Sequence, residues 1–269
     1  MTTANNATSA IAGPVLVLFL ATTGFADAQT WSAADSAAYR ACLETAESAP
    51  DRAIEEALRW EQRGGGHGAR HCAAVAFARR GDHAAAAKRL ESLAWSLPGD
   101  APQRVRAEIL AQAGNAWISA RKHESALAVL AAAVDLAPGD ATIRIDRAVA
   151  LAAVSRYQDA VIDLSAALIA DPNSVEALVL RAGAYRRLER LDAAARDADR
   201  ALFLSPRDPQ GLLERGVIRR MTGDRAGAAA DWRRLIEHHP RSPAADAAKQ
   251  RLADLDGSGT AEPAEPGKR

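Results

Sequence analysis

Aromatic residues are scarce in this chain, 4% of 269 positions, and runs of β-branched residues are short. That composition, rich in alanine, favours closely packed helices over a sheet. Net charge is absent as well: 34 Lys and Arg balance 34 Asp and Glu. A neutral chain lacks the broad basic field that phosphate backbones require, which argues against nucleic acid as a partner. Long apolar runs are missing except at Ile11 to Ala21 (IAGPVLVLFLA), which is too short to span a bilayer comfortably. Recognisable catalytic patterns are missing too. GGGHG at 64–68 has no following Lys-Ser/Thr, His123-Glu124 has no second histidine four residues on, and no serine sits in a nucleophile elbow. The sequence therefore reads as non-enzymatic, with no cofactor and no metal expected.

Cysteine is nearly absent, and the two that occur, Cys42 and Cys72, form an even count. In an exported chain that count points to one disulfide joining the N-terminal helix to the first clear repeat unit, at 67–100. Two buried thiols, or a metal site shared with His67 and His71, are the alternatives. Export is read from residues 1–28: an apolar core, then Ala26-Asp27-Ala28 as a small-x-small cleavage pattern. The opening MTTANNATSA lacks the Lys or Arg that usually orients such a segment. The pattern still favours export, most simply to the periplasm, with no membrane span left after cleavage.

What is present is a period. Residues 141–242 run one 34-residue pattern three times, opening ATIRIDRAVALAAVSRYQDA, VEALVLRAGAYRRLERLDAA and PQGLLERGVIRRMTGDRAGA. Pro172, Pro206 and Pro240 close the three. Alanine recurs at Ala160, Ala194 and Ala228, and a small residue at Ala148, Ala182 and Gly216. A fixed step of this length is the mark of stacked helix pairs, each burying its apolar edge only against a neighbour. Small residues are needed where the two helices of a pair cross, and proline stops the second helix.

Arg147, Arg181 and Arg215 recur with Asp163, Asp197 and Asp231, and both members are missing together in the two preceding repeats (Ala73 with Arg89, Ala113 with Val129). That co-occurrence predicts a structural ion pair across the helices of one repeat.

These units resemble the tetratricopeptide repeat family. Residues 67–240 carry its pattern of small, aromatic, alanine and proline positions in five units: 67–100, 107–140, 141–174, 175–208 and 209–242. Leu151 and Arg219 stand where the family usually has an aromatic. The resemblance implies an all-α, right-handed α-solenoid of helix-turn-helix repeats. An N-terminal helical pair at 29–66 would precede it, with Asp51 capping the second helix. A capping helix at 243–255 and a disordered tail at 256–269 would follow. The six residues 101–106 break the register and are expected to extend the helix after them.

The resemblance also implies an inner face for a protein or peptide partner. Its positions here are Asn115, Ile145, Val149, Val179, Leu213 and Val217, with Arg186, Arg187 and Arg220 towards the C-terminal half. That is a partly apolar groove with a basic end. The lysine–asparagine clamp of some family members is not reproduced, since Ala111 stands where the lysine would accompany Asn115. The function implied is an interaction scaffold of the cell envelope. The alternative is an assembly subunit that oligomerises through its repeat edges.

Overall fold

Five prolines set the rhythm of the fold. In the computed structural model, which describes residues 33–257, Pro98, Pro138, Pro172, Pro206 and Pro240 each follow two residues after the end of a helix. Those helices are α4 (His83–Ser96), α6 (His123–Leu136), α8 (Tyr157–Ala170), α10 (Leu191–Leu204) and α12 (Arg225–His238). Each is the second helix of a pair whose first member is α3 (Gly66–Arg80), α5 (Gln103–Ser119), α7 (Ala141–Ala153), α9 (Val175–Arg187) or α11 (Pro209–Met221). Ahead of them come α1 (Ala33–Ser48) and α2 (Pro50–Gln62), and after them α13 (Pro243–Gly257). The described residues hold thirteen helices and no strand. The segment read as a signal, and the chain beyond 257, lie outside the described residues.

Local chemistry repeats at the same step. Asp140, Ser174, Asp208 and Ser242 each precede a first helix, and each side-chain oxygen accepts a backbone N–H two or three residues on. A cap of this kind satisfies donors that the helix itself leaves open. Between the two helices of every pair the chain turns through one left-handed residue: Gly81, Arg121, Ser155, Glu189 or Gly223. That conformation ends the first helix and reverses the chain in very few residues.

One departure from the expected pattern has a clear cause, and the register break extends the following helix as expected. Asp51 does not cap α2. The capping position is Ala49, Pro50 fills the first turn, and Asp51 instead accepts from Arg80 Nη1 at 3.0 Å. Pro50 takes the first helical position, which leaves Ala49 at the cap and sets Asp51 inside the first turn, past the place from which a side chain can cap. At the register break, α5 begins at Gln103, and Arg106 reaches back to the carbonyls of Ala94 (2.6 Å) and Pro98 (3.0 Å). The insertion thus supplies an arginine that closes the end of α4.

The described residues fall into two compact blocks that divide within α8, at Asp159. In the N-terminal block, α1 to α7 pack each against the next, and α5 also meets α7. Its core gathers Leu90, Leu93, Ile109, Leu110 and Leu130. Cys42 and Cys72 are disulfide-bonded with Cα atoms 6.2 Å apart, which ties α1 to α3. In the C-terminal block, α9 to α13 pack in sequence, with α9 also against α11 and α11 against α13. Leu212, Trp232 and Leu235 fill its core. Both blocks are stacks of helices in which each repeat shields the apolar edge of its neighbour, the architecture of an α-solenoid.

The recurring alanines Ala86, Ala126, Ala160, Ala194 and Ala228 are all fully buried. At three crossings the small residue on the first helix is matched to what faces it on the second. Gly114 lies against Leu130 and Gly216 against Trp232, while Ala182 clusters with Ala198. A larger side chain is accommodated where the opposite position gives up its Cβ.

Candidate functional site

The expected inner-face positions are taken block by block: those on α5 and α7 in the N-terminal block, and those on α9 and α11 in the C-terminal block. On α5, Asn115 donates to Asp146 of α7 at 2.9 Å, so its amide is engaged within the protein. Ile145 is buried and Val149 half-buried. On α9, Val179 packs in a cluster with Leu178 and Ala201. On α11, Val217 joins the Trp232 core, with Leu213 packed against it. Ile145, Val179 and Val217 keep 7%, 9% and 8% of their surface. The apolar positions of the expected groove are therefore spent largely on packing, because each first helix leans on the next.

Charge remains at the surface. Arg186 at the end of α9 grips Glu214 of α11, Nε at 2.5 Å from Oε1 and Nη2 at 3.3 Å from Oε2. Both side chains are mostly buried. Arg187 and Arg220 are exposed. A residue not among the expected ones stands beside them: Arg251 on α13, half-buried, with its Nε unbonded among the described residues. Burial chiefly, then the charges of Arg186 and Arg220, hold the Arg251 pKa below its ordinary value, against the opposing pull of Glu214 and Asp254. Arg251 lies one full repeat step beyond Val217, so extending the period past residue 242 would have found it.

Behind this face run the buried ion pairs. Arg181 meets Asp197 through Nε at 2.7 Å and Nη2 at 2.9 Å, and Arg215 meets Asp231 through Nε at 2.9 Å and Nη2 at 2.7 Å. Each arginine has a second arm. Arg181 Nη1 donates to Ser165 and Arg215 Nη1 to Asp199, two residues that are themselves one repeat apart. One guanidinium thus binds its own repeat to the preceding second helix. Hydrogen bonding to Asp197 raises the Arg181 pKa against the cost of burial. At Arg215 burial pulls downward, and Asp231 and Asp199 together outweigh it. Arg219, standing where an aromatic was expected, also donates to Asp231 at 2.8 Å. Arg147 is half-buried in the N-terminal block and Asp163 fully buried in the C-terminal one.

The cysteine–histidine region is occupied by its own bonds. Cys42 and Cys72 are joined, and His71 lies buried with Nδ1 2.8 Å from Tyr39 Oη and Nε2 2.8 Å from Gln112 Oε1. Among the described residues no group of three or more His, Cys, Asp or Glu is placed to hold a metal. No helix among them is long and apolar enough to cross a membrane.

Comparison with known proteins agrees with this architecture. A family model described as tetratricopeptide repeat matches residues 210–242. Among solved structures, a tetratricopeptide repeat protein of Parabacteroides merdae is 22% identical with a TM-score of 0.57, over 68% of this chain and 71% of that one. MamA from Desulfovibrio magneticus is 22% identical with a TM-score of 0.54, over 61% of this chain and 89% of that one. A thermophilic tetratricopeptide repeat protein of Thermus thermophilus is 19% identical with a TM-score of 0.55, over 68% of this chain and 94% of that one. No curated protein sequence matches. At such identities the likeness is one of fold.

Proposed function

We propose that this chain, a stack of helix pairs with a tetratricopeptide repeat match over residues 210–242, is a non-enzymatic interaction scaffold of the cell envelope. Proteins of this family bind protein or peptide partners. In the proposal, a partner segment lies along the face of the first helices. The observation that carries it is the division of labour on that face. The apolar positions are consumed by stacking, while Arg187 and Arg220 are left exposed beside the half-buried Arg186. Recognition then rests on charge and hydrogen bonds at the C-terminal end more than on apolar anchors.

Residues 1–28 and the Cys42–Cys72 bond support export to an oxidising compartment such as the periplasm. A reporter that is active only outside the cytoplasm, fused after residue 32, tests that part.

A photo-crosslinking residue placed at Arg187 or Arg220 in cells tests the face itself. Adducts should form from these positions and not from the exposed Phe203 on α10. The double variant Arg187→Glu with Arg220→Glu should lose the partner. Equal capture by the charge-reversed protein would refute the proposal.

A second reading, assembly through repeat edges, draws on the exposed apolar residues Ile162, Ile169 and Phe203 in the C-terminal block. Light scattering of the purified chain separates the two: a concentration-dependent oligomer that is dissolved by Ile169→Asp and Phe203→Asp favours assembly.

A further inference from the structure

Beyond that reading, and independent of the first-helix face, we propose that the outer edge of the C-terminal block, where α8, α10 and α12 end, docks on a phospholipid surface with anionic headgroups. Ile169 and Phe203 enter the lipid, and Arg200, Arg207 and Arg241 hold the headgroup phosphates.

Large apolar side chains are exposed at one recurring place. Trp95, Ile169 and Phe203 each stand three residues before the proline that closes a repeat, and they are 58%, 83% and 75% exposed. Trp95 lies in the other block and takes no part. Ile162, 60% exposed, lies two turns before Ile169 on the same face of α8. A single exposed apolar residue is ordinary, but one repeated on successive second helices marks a surface. Contacts bring the two together. Leu168 and Leu204, the chain neighbours of Ile169 and Phe203, pack on one cluster of Leu178, Val179 and Ala201. Arg200 donates from Nη2 to Asn173 Oδ1 at 2.9 Å, in the turn that follows α8, and its guanidinium lies 5.4 Å from the centre of the Phe203 ring. The next turn is tied in a similar way. His239 Nε2 donates to the Arg207 carbonyl at 2.7 Å, which sets the turn bearing Arg241 beside the turn bearing Arg207.

Charge selects the occupant. Arg234 repeats the place of Arg200 on the next second helix, and Arg241 repeats that of Arg207, and all of them are exposed. The exposed carboxylates of this edge are Asp171 and Glu237. Others close by are spent inside the protein, Asp199 on Arg215 and Asp208 on the Gly211 N–H. The edge therefore keeps an excess of positive charge, although the chain as a whole has none. An anionic lipid surface supplies what both kinds of side chain need: phosphates for the arginines and, just beneath them, acyl chains for Ile169 and Phe203. Side chains that protrude singly at helix ends enter a fluid surface directly. A folded protein partner would have to present a hollow shaped to each of them.

Flotation of the purified full chain with vesicles tests the surface. The chain should rise with vesicles of phosphatidylcholine and phosphatidylglycerol, stay behind with phosphatidylcholine alone, and be released by added salt. Arg200→Gln with Arg207→Gln should weaken the partition about thirtyfold. Ile169→Ser with Phe203→Ser should weaken it at least about tenfold. All of these residues are exposed, so both variants should keep the circular dichroism and thermal melting of the wild type. Equal partition onto the two kinds of vesicle, or an unchanged partition of the arginine variant, would overturn the proposal. An oligomer in light scattering that Ile169→Ser with Phe203→Ser dissolves would overturn it too, since a second copy would then cover the patch. Protein adducts from a photo-crosslinking residue at Phe203 in cells would do the same in favour of a protein partner. Vesicle binding with no crosslink from Arg187 or Arg220 would leave this surface standing while removing the scaffold reading. Crosslinks from those two positions with no vesicle binding would do the reverse.

Discussion

The Arg181 guanidinium lies edge-on to the Asp197 carboxylate, with two parallel bonds of 2.7 Å and 2.9 Å joining α9 to α10. Asp197 is buried, and Arg181 uses its remaining nitrogen on Ser165 of the previous second helix. Removing the carboxylate strands a half-buried guanidinium, so Asp197→Ala should cost about 2–3 kcal/mol. Asp231 serves two arginines and keeps only 4% of its side-chain surface, so Asp231→Ala should cost more, about 3–5 kcal/mol. A double-mutant cycle on Arg181 and Asp197, read from urea midpoints, should give a coupling of at least about 1 kcal/mol. Additive effects would show that the two groups are neighbours without being partners.

Gly216 has no room for a methyl group. A Cβ there would sit 2.7 Å from Cδ1 and 2.8 Å from Cε2 of the buried Trp232. Gly183, one repeat earlier and one position along the helix, is different, because its Cβ would meet only Glu214 at 3.8 Å. Gly216→Ala should therefore destabilise by about 1–3 kcal/mol through overpacking. Gly183→Ala should stabilise by up to about 1 kcal/mol, since alanine favours the helix and nothing need shift. Thermal melting of both variants decides the matter. A loss of equal size at the two positions would mean that crossing geometry is not what sets the requirement.

The turns offer a gain rather than a loss. Glu189 is exposed and sits at φ 59°, where Gly223 stands at φ 91° one repeat on. A non-glycine residue in that region bears a steric cost of about 1–2 kcal/mol, and glycine returns part of it as unfolded-state entropy. Glu189→Gly should raise stability by about 0.5–1 kcal/mol and Gly223→Ala should lower it by a similar amount. A lower urea midpoint for Glu189→Gly would contradict this account.

The period, the small crossing residues and the arginine–aspartate co-occurrence were legible because each depends on spacing along one chain. Ala194 at a crossing and Pro206 at a helix end act on their immediate neighbours, and a repeated neighbour relation leaves a repeated letter. The caps at Asp140, Ser174, Asp208 and Ser242 are equally periodic but hidden, because their residue types vary. Side-chain direction was harder. Val179 and Val217 occupy expected inner-face positions yet are buried, since the lean of one first helix on the next decides how much of a valine stays uncovered. The second arm of Arg215 to Asp199 joins successive repeats, and no pattern within a single repeat reveals it. Asp51 shows the opposite error, where a good capping letter reads well locally but Pro50 starts the helix one residue earlier and moves the cap position to Ala49.

His71 links three helices while uncharged. The Tyr39 hydroxyl of α1 donates to Nδ1, and Nε2–H donates to Gln112 Oε1 of α5, each at 2.8 Å. Burial lowers the pKa of the ring below its ordinary value of 6.5, a shift that the Gln112 bond only partly offsets. The unfolded chain therefore binds a proton at higher pH than the folded one. This contribution to stability is complete above about pH 6.5 and is lost as pH falls towards the folded pKa, at up to about 1.4 kcal/mol per pH unit. Acidification thus loosens the point where α1, α3 and α5 meet, next to the disulfide at Cys72. Urea midpoints of the wild type and of His71→Gln, taken at about pH 7.5 and about pH 5.5, isolate the contribution. The wild type should lose more stability than the variant over that interval. Parallel losses would assign the acid sensitivity to carboxylates elsewhere and leave His71 a bystander.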